Sequence, residues 1–193
     1  MYKIRQCALA LICCGAAITG CALAGGTPKA PPIHFLGRTY HLASFDKKDK
    51  PTWDFVSGSE TMDDWTTMLT IIDRPDARSS KDLDRVVEEN KSNYESHGGR
   101  ILVATTLPYA DGTYNYTVVG FDEPSKQRFE ISFVKAAMGR RNAQVAVYRV
   151  RISDPQDYTG KAKTFLHQHS AEVGSALGQL DLPDIDRLPR TEF

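Results

Sequence analysis

From residue 33 onward, apolar and polar positions follow two rhythms, a period of two and a period near 3.6. Arg38 to Phe45 reads as a first strand, closed by the polar turn Asp46 to Pro51. Trp53 to Ser57 reads as a short second strand. Ser59 to Trp65 is a polar turn with room for one helical turn capped by Ser59 or Thr61. Thr66 to Ile72, rich in β-branched residues, reads as a buried strand that Asp73-Arg74-Pro75-Asp76 ends. The rhythm then turns helical over Ser79 to Ser96. Ser79-x-x-Asp82 is a capping-box-like start, Leu83, Val86, Val87 and Tyr94 form the stripe, and Gly98-Gly99 supplies the stop.

Four more strands are expected. Arg100 to Leu107 and Tyr114 to Phe121 make a hairpin across the turn Ala110-Asp111-Gly112-Thr113. Arg128 to Lys135 alternates, with Phe129, Ile131 and Phe133 on one face. After the turn Met138 to Asn142, Gln144 to Ile152 is apolar on both faces near its middle, which predicts a central strand. A second helix is expected from about Gly160 to Leu180, with Phe165, Leu166, His169, Val173, Ala176, Leu177 and Leu180 on one stripe. Asp181 to Phe193 has two prolines and no period, which predicts a surface tail. Runs of strands on short turns favour antiparallel pairing, and amphipathic helices need a sheet to cover. The expected fold is α+β: a single twisted antiparallel sheet of about six or seven strands with two amphipathic helices packed on it.

The N-terminus has a different pattern. Lys3 and Arg5 precede an apolar run from Cys7 to Ile18, the charge-then-apolar order of an export signal. The run is short of the roughly 20 apolar residues that span a bilayer. Two cleavage patterns compete. Ile18-Thr19-Gly20-Cys21 resembles the lipobox of bacterial lipoproteins, which implies cutting before Cys21 and acylation of that residue. Ala22-Leu23-Ala24 is a small-x-small pattern that ordinary signal peptidase would cut before Gly25, leaving a soluble periplasmic form. In a Gram-negative cell the lipobox resemblance, with Ala22 rather than Asp after the cysteine, implies the outer membrane. The division expected is residues 1–20 as signal, 21–32 as lipidated cysteine and Gly/Pro-rich tether, and 33–193 as one domain.

Composition narrows the picture further. All four cysteines lie at or before Cys21, so the body carries no disulfide, thiolate nucleophile or Cys metal ligand. Setting aside Lys3 and Arg5 leaves 22 basic residues against 24 acidic ones, which argues against a nucleic-acid partner. Trp65 to Ile71, and Glu130 to Gly139 running into Val147 to Arg151, resemble segments of short, uncharacterised exported proteobacterial lipoproteins. The strand and helix order is similar to the PsbP/Mog1/DcrB-like fold. The resemblance implies fold and compartment and carries no catalytic residues.

Candidate chemistry is sparse. His167 and His169 would share a face on a strand but diverge by about 200° on the expected helix, so no metal site is expected there. His34, His41 and His97 are isolated. Asp181-x-x-Asp184-x-Asp186 lacks the alternate ligands, glycine and distal glutamate of a calcium loop. Ser44-x-x-Lys47 has no companion element of a Ser/Lys enzyme, and Ser96-His97-Gly98-Gly99 reads as a helix cap. Two features suit contact with a partner. Trp53, Tyr114, Tyr116 and Tyr148 are amphipathic aromatics on strands, fit either for an exposed binding face or for packing under the helices. Arg140-Arg141 sits in a turn where it would meet an acidic surface. The function expected is that of a cell-envelope lipoprotein held to the membrane by its lipid and acting by protein–protein contact. No cofactor, metal or nucleic acid is expected. The alternative is an envelope-directed hydrolase whose site is assembled from distant residues.

Overall fold

A computed structural model describes residues 30–109 and 112–190. The export pattern, Cys21, most of the tether, and residues 110 and 111 of the hairpin turn lie outside the described residues. The chain forms β1 (Ile33–Phe35), β2 (Arg38–Asp46), β3 (Thr52–Ser57), β4 (Thr67–Arg74), α1 (Ser80–Ser96), β5 (Arg100–Tyr109), β6 (Gly112–Glu123), β7 (Arg128–Met138), β8 (Ala143–Ser153) and α2 (Tyr158–Gln179). All eight strands join one antiparallel sheet in the order β1-β2-β3-β4-β8-β7-β6-β5. Two four-strand meanders thus meet at β4 and β8, and α1 carries the chain from the first to the far edge of the second.

The two helices cover opposite faces. Successive residues of β7 point to opposite sides of a sheet. Ile131 and Phe133 join the core that includes Val173 and Leu177 of α2, whereas Val134 and Ala136 pack with Leu83, Val86 and Val87 of α1. Two-sided cover explains why β4 and β8 are buried almost throughout, and Gln144–Ile152 holds its expected central place. On the α2 side the core is aromatic. Tyr148 lies among Phe35, Tyr40 and Phe133, with ring centroids 5.0, 6.5 and 6.2 Å away. Gly174 and Gly178 let α2 approach the sheet, since a Cβ on them would meet the rings of Tyr116 at 3.3 Å and Tyr114 at 3.1 Å.

The strand absent from the sequence reading is β1, only three residues long. Its hairpin turns on Leu36 and Gly37, with φ of 47° and 70°. That geometry suits a tight hairpin, but leucine is an uncommon residue at positive φ. Leu36 packs against the core, which offsets the backbone strain. The helix start was clear: Ser79 Oγ accepts from the Asp82 amide at 3.2 Å, and Asp82 accepts from the Ser79 amide at 3.1 Å.

Residues 181–190 are no mere surface tail; residues 191–193 lie outside the described residues. After α2 the described segment runs as a strap over the α2 face of the sheet. Ile185 and Leu188 are buried in the core, and the Trp53 indole N–H donates to the Pro189 carbonyl at 2.7 Å. The apolar anchors are spaced by a 3-10 turn at Ile185–Arg187, so they follow neither the period of two nor that of 3.6.

A charge network ties β4 to α1. Arg74, 1 % exposed, donates to Asp76 at 2.8 and 2.9 Å and to Glu89 at 2.6 Å, and Arg85 bridges the same two carboxylates. Arg74 above all, with Arg85, holds the Asp76 carboxyl far below the usual range, and Arg85 with Arg74 lowers Glu89. Depressed carboxylates add stability above their ordinary pKa and lose it as pH falls through the folded value. Arg74→Ala should cost about 2–3 kcal/mol at neutral pH and weaken the loss of stability below pH ~4.5. Thermal melts of both proteins from pH 7 to 3 check this; parallel curves would contradict it.

Candidate functional site

The residues proposed for contact separate into two groups. Trp53, Tyr114, Tyr116 and Tyr148 are all buried on the α2 side of the sheet. They form no exposed binding face; that expectation is corrected in favour of packing under α2 and the strap. The polar ends of three of them are spent inside the fold. Trp53 bonds Pro189, the Tyr114 hydroxyl donates to the Gly174 carbonyl at 2.9 Å, and that of Tyr116 to the Ser170 carbonyl at 3.3 Å. Burial pushes the tyrosine hydroxyls of Tyr114, Tyr116 and Tyr148 up. Amphipathic rings on strands carry the same sequence signal whether they face a helix or solvent.

Arg140 and Arg141 are exposed, with side chains 85 % and 73 % accessible. The β7–β8 turn that carries them is tight. The Gly139 amide donates to the Asn142 carbonyl at 2.8 Å, and Asn142 Nδ2 donates to Asp73 Oδ1 at 3.3 Å. The strap passes beside this turn. Asp184 lies 3.4 Å from Arg140 and 3.6 Å from Arg187, and Asp186 lies 3.0 Å from Arg141 and 3.7 Å from Arg190. Four arginines thus surround two aspartates, a local excess of positive charge in a chain of formal net charge zero. Exposed pairs of this kind contribute about 0–1 kcal/mol each, so the guanidinium groups remain available to a competing anion.

Between turn and strap lies a groove of about 460 Å³. Gln144, only 4 % exposed, is among its lining residues, and its Oε1 is buried with no hydrogen-bond partner among the described residues. One residue pair further along the same face, Lys135 sits almost wholly buried under the end of α2. Its ammonium donates to the carbonyls of Gly178 at 3.2 Å and Leu180 at 2.9 Å. A cation there satisfies carbonyls that the helix end leaves open. Burial pushes the Lys135 ammonium down to about 8, with Asp181 acting the other way. Sequence reasoning passed over both residues. The signal was a polar side chain within a short apolar stretch, Val134 to Met138 for Lys135 and Ala143 to Tyr148 for Gln144.

The remaining chemical candidates are structural. Ser44 and Thr70 donate to Asp54 at 3.1 and 2.6 Å across three strands. Ser96 Oγ and His97 Nδ1 both meet the Asn93 carbonyl, at 2.9 and 2.7 Å, as a helix cap does. His167 and His169 both lie on α2, and His169 pairs with Glu172 at 3.3 Å and packs on Phe165. Among the described residues, no group of three or more His, Cys, Asp or Glu side chains is placed to hold a metal ion. No described helix is long and apolar enough to cross a membrane. A wider groove of about 770 Å³ lies between α1 and β3–β4, but Arg74, Arg85 and Glu89 on its walls already bind one another. The groove between turn and strap differs in that its two arginines stand on a turn with their side chains largely exposed. No protein-family model matches the chain, and no curated protein is significantly similar to it.

Proposed function

We propose that the chain is an exported lipoprotein, held to the outer membrane through acylated Cys21, that serves the cell envelope as a non-catalytic binding module. Its contact surface is the groove between the β7–β8 turn and the C-terminal strap. The observation that carries this reading is the pair Arg140 and Arg141, presented to solvent on a tight turn beside that groove. A rigid hairpin lowers the ordering cost that a flexible basic loop would incur on binding. The charge-then-apolar N-terminus and the confinement of cysteine to residues up to Cys21 support export. The likeness to short exported proteobacterial lipoproteins and to PsbP/Mog1/DcrB-like domains belongs to the same proposal.

Metabolic labelling with an alkyne fatty acid tests the anchor. The wild-type chain should take up label and sediment with outer membranes, and Cys21→Ser should lose both. A mature wild-type chain that begins at Gly25 and carries no label would contradict the anchor.

A further inference from the structure

We propose that the exposed edge of β5 is a second contact surface, which takes up an extended segment of a partner protein as an added strand. The side chains of that segment alternate, apolar ones lying over Val103 and Leu107 and a lysine or arginine over Asp84. This goes beyond the reading of the groove between turn and strap and does not depend on it.

The backbone selects the form of the ligand. β5 lies at the end of the sheet and pairs only with β6. An edge strand carries a row of backbone N–H and C=O groups able to pair with another extended chain. The two edges of this sheet differ. β1 is three residues long and follows Pro31-Pro32, which blunts it. β5 has ten residues, and none from Ile101 to Tyr109 is charged. A bulge at Leu102 and a proline at Pro108 bound a straight stretch, Val103 to Leu107, of which Val103 to Thr106 are exposed. The chain leaves α1 and enters β5 at Arg100, on the other side of the bulge, so the end of α1 lies outside this stretch.

The flanking side chains select the sequence of the ligand. An added strand presents successive side chains to opposite faces, in step with its neighbour. On the α2 face it meets Val103, 43 % exposed, and Leu107, half-buried against the core. On the α1 face it meets Ala104 and Thr106, which share a groove of about 280 Å³ with Asp84, Glu88 and Lys91 of α1. Glu88 pairs with Lys91 at 2.7 Å. Asp84 is exposed and makes no hydrogen bond or ion pair among the described residues. One negative charge is therefore left uncompensated, and a cationic side chain complements it. A second copy of β5 brings no such cation, because the stretch itself is uncharged.

The test uses fluorescence anisotropy on the full chain in nonionic detergent micelles, with empty micelles as the blank. Four amidated heptapeptides carry the fluorophore at the N-terminus: alternating valine and lysine, the same peptide with every backbone amide N-methylated, alternating valine and glutamate, and the first composition with its lysines in one block. The expected result is saturable binding of the first probe, about tenfold or more tighter than the others. Val103→Lys, which sets a charge on the edge, should weaken it about tenfold or more. Asp84→Lys should weaken it about tenfold and favour the valine–glutamate probe instead. Both positions are exposed, and circular dichroism should not change. No saturable binding of the first probe overturns the proposal, as does equal binding of any other probe or unchanged binding in both variants. A dimer in analytical ultracentrifugation that Val103→Lys dissolves and the first probe cannot displace overturns it in favour of a second copy.

Discussion

Trp53→Ala should lower stability by about 4 kcal/mol and free the C-terminal strap. Trp53 is fully buried, its ring centroid lies 5.1 Å from that of Phe45, and its N–H holds the Pro189 carbonyl. Truncating a buried tryptophan to alanine costs about 3–5 kcal/mol through lost burial and the cavity left behind. The change also deprives the carbonyl of its donor. Against a total of about 5–15 kcal/mol for a typical domain, this is the largest single loss expected. Trp53→Phe keeps most of the ring contact but loses the hydrogen bond, and should cost roughly 1–2 kcal/mol. Urea denaturation measures both. Limited trypsin digestion reads the strap itself, because Arg187 and Arg190 should be cut faster in the alanine variant. An unchanged urea midpoint with unchanged cleavage would show that the strap does not depend on Trp53.

The second large effect is an alkaline rise in stability set by Lys135. Its ammonium is pushed from the ordinary 10.5 down to about 8 in the folded chain. Between those values the unfolded chain holds a proton that the folded chain has released, so stability climbs as pH rises. Taken alone, this shift corresponds to a climb on the order of 3 kcal/mol. The buried tyrosines act in the opposite direction. Burial raises Tyr116 and Tyr148 well above 10. Above pH ~10 the unfolded chain therefore ionises first and stability falls. Stability should peak near pH 9–10. Lys135→Met should flatten the climb and leave the fall above pH 10 in place. Urea melts from pH 7 to 11 decide it; a wild-type curve that declines steadily from pH 7 would contradict the assignment.

Most of the fold can be read from the sequence because its strands and helices are locally consistent. The alternation in Arg128–Lys135, the capping box at Ser79 and the glycine stop at Gly98-Gly99 each indicate the same element as the tertiary structure. The strand β1 was missed because three residues cannot show a period and because Leu36 takes positive φ through tertiary packing. The strap was missed for a related reason. Pro189 is fixed by Trp53, 136 residues away in the chain, and Ile185 and Leu188 by burial in the core of the sheet, so nothing local marks them.

The site was half visible. Arg140 and Arg141 lie in a turn that any reading of the sequence finds, and charged turns are exposed as a rule. The aromatic residues were ambiguous by nature, since a tyrosine that caps a helix carbonyl and one that meets a partner have the same neighbours in sequence. Gln144 and the two aspartates of the strap come together only when the C-terminal segment folds back over the sheet. Their grouping is a property of the topology.

If the groove beside Arg141 is where this protein meets its partner, a cross-linker placed there should capture that partner. The most direct measurement is site-specific photo-cross-linking in intact cells, with p-benzoylphenylalanine in place of Arg141 and, as a control, in place of exposed Glu95 at the end of α1. Illumination should give a discrete higher-mass product at position 141, identifiable by mass spectrometry, and none at position 95. No product at position 141, or the same products at both positions, would contradict the claim.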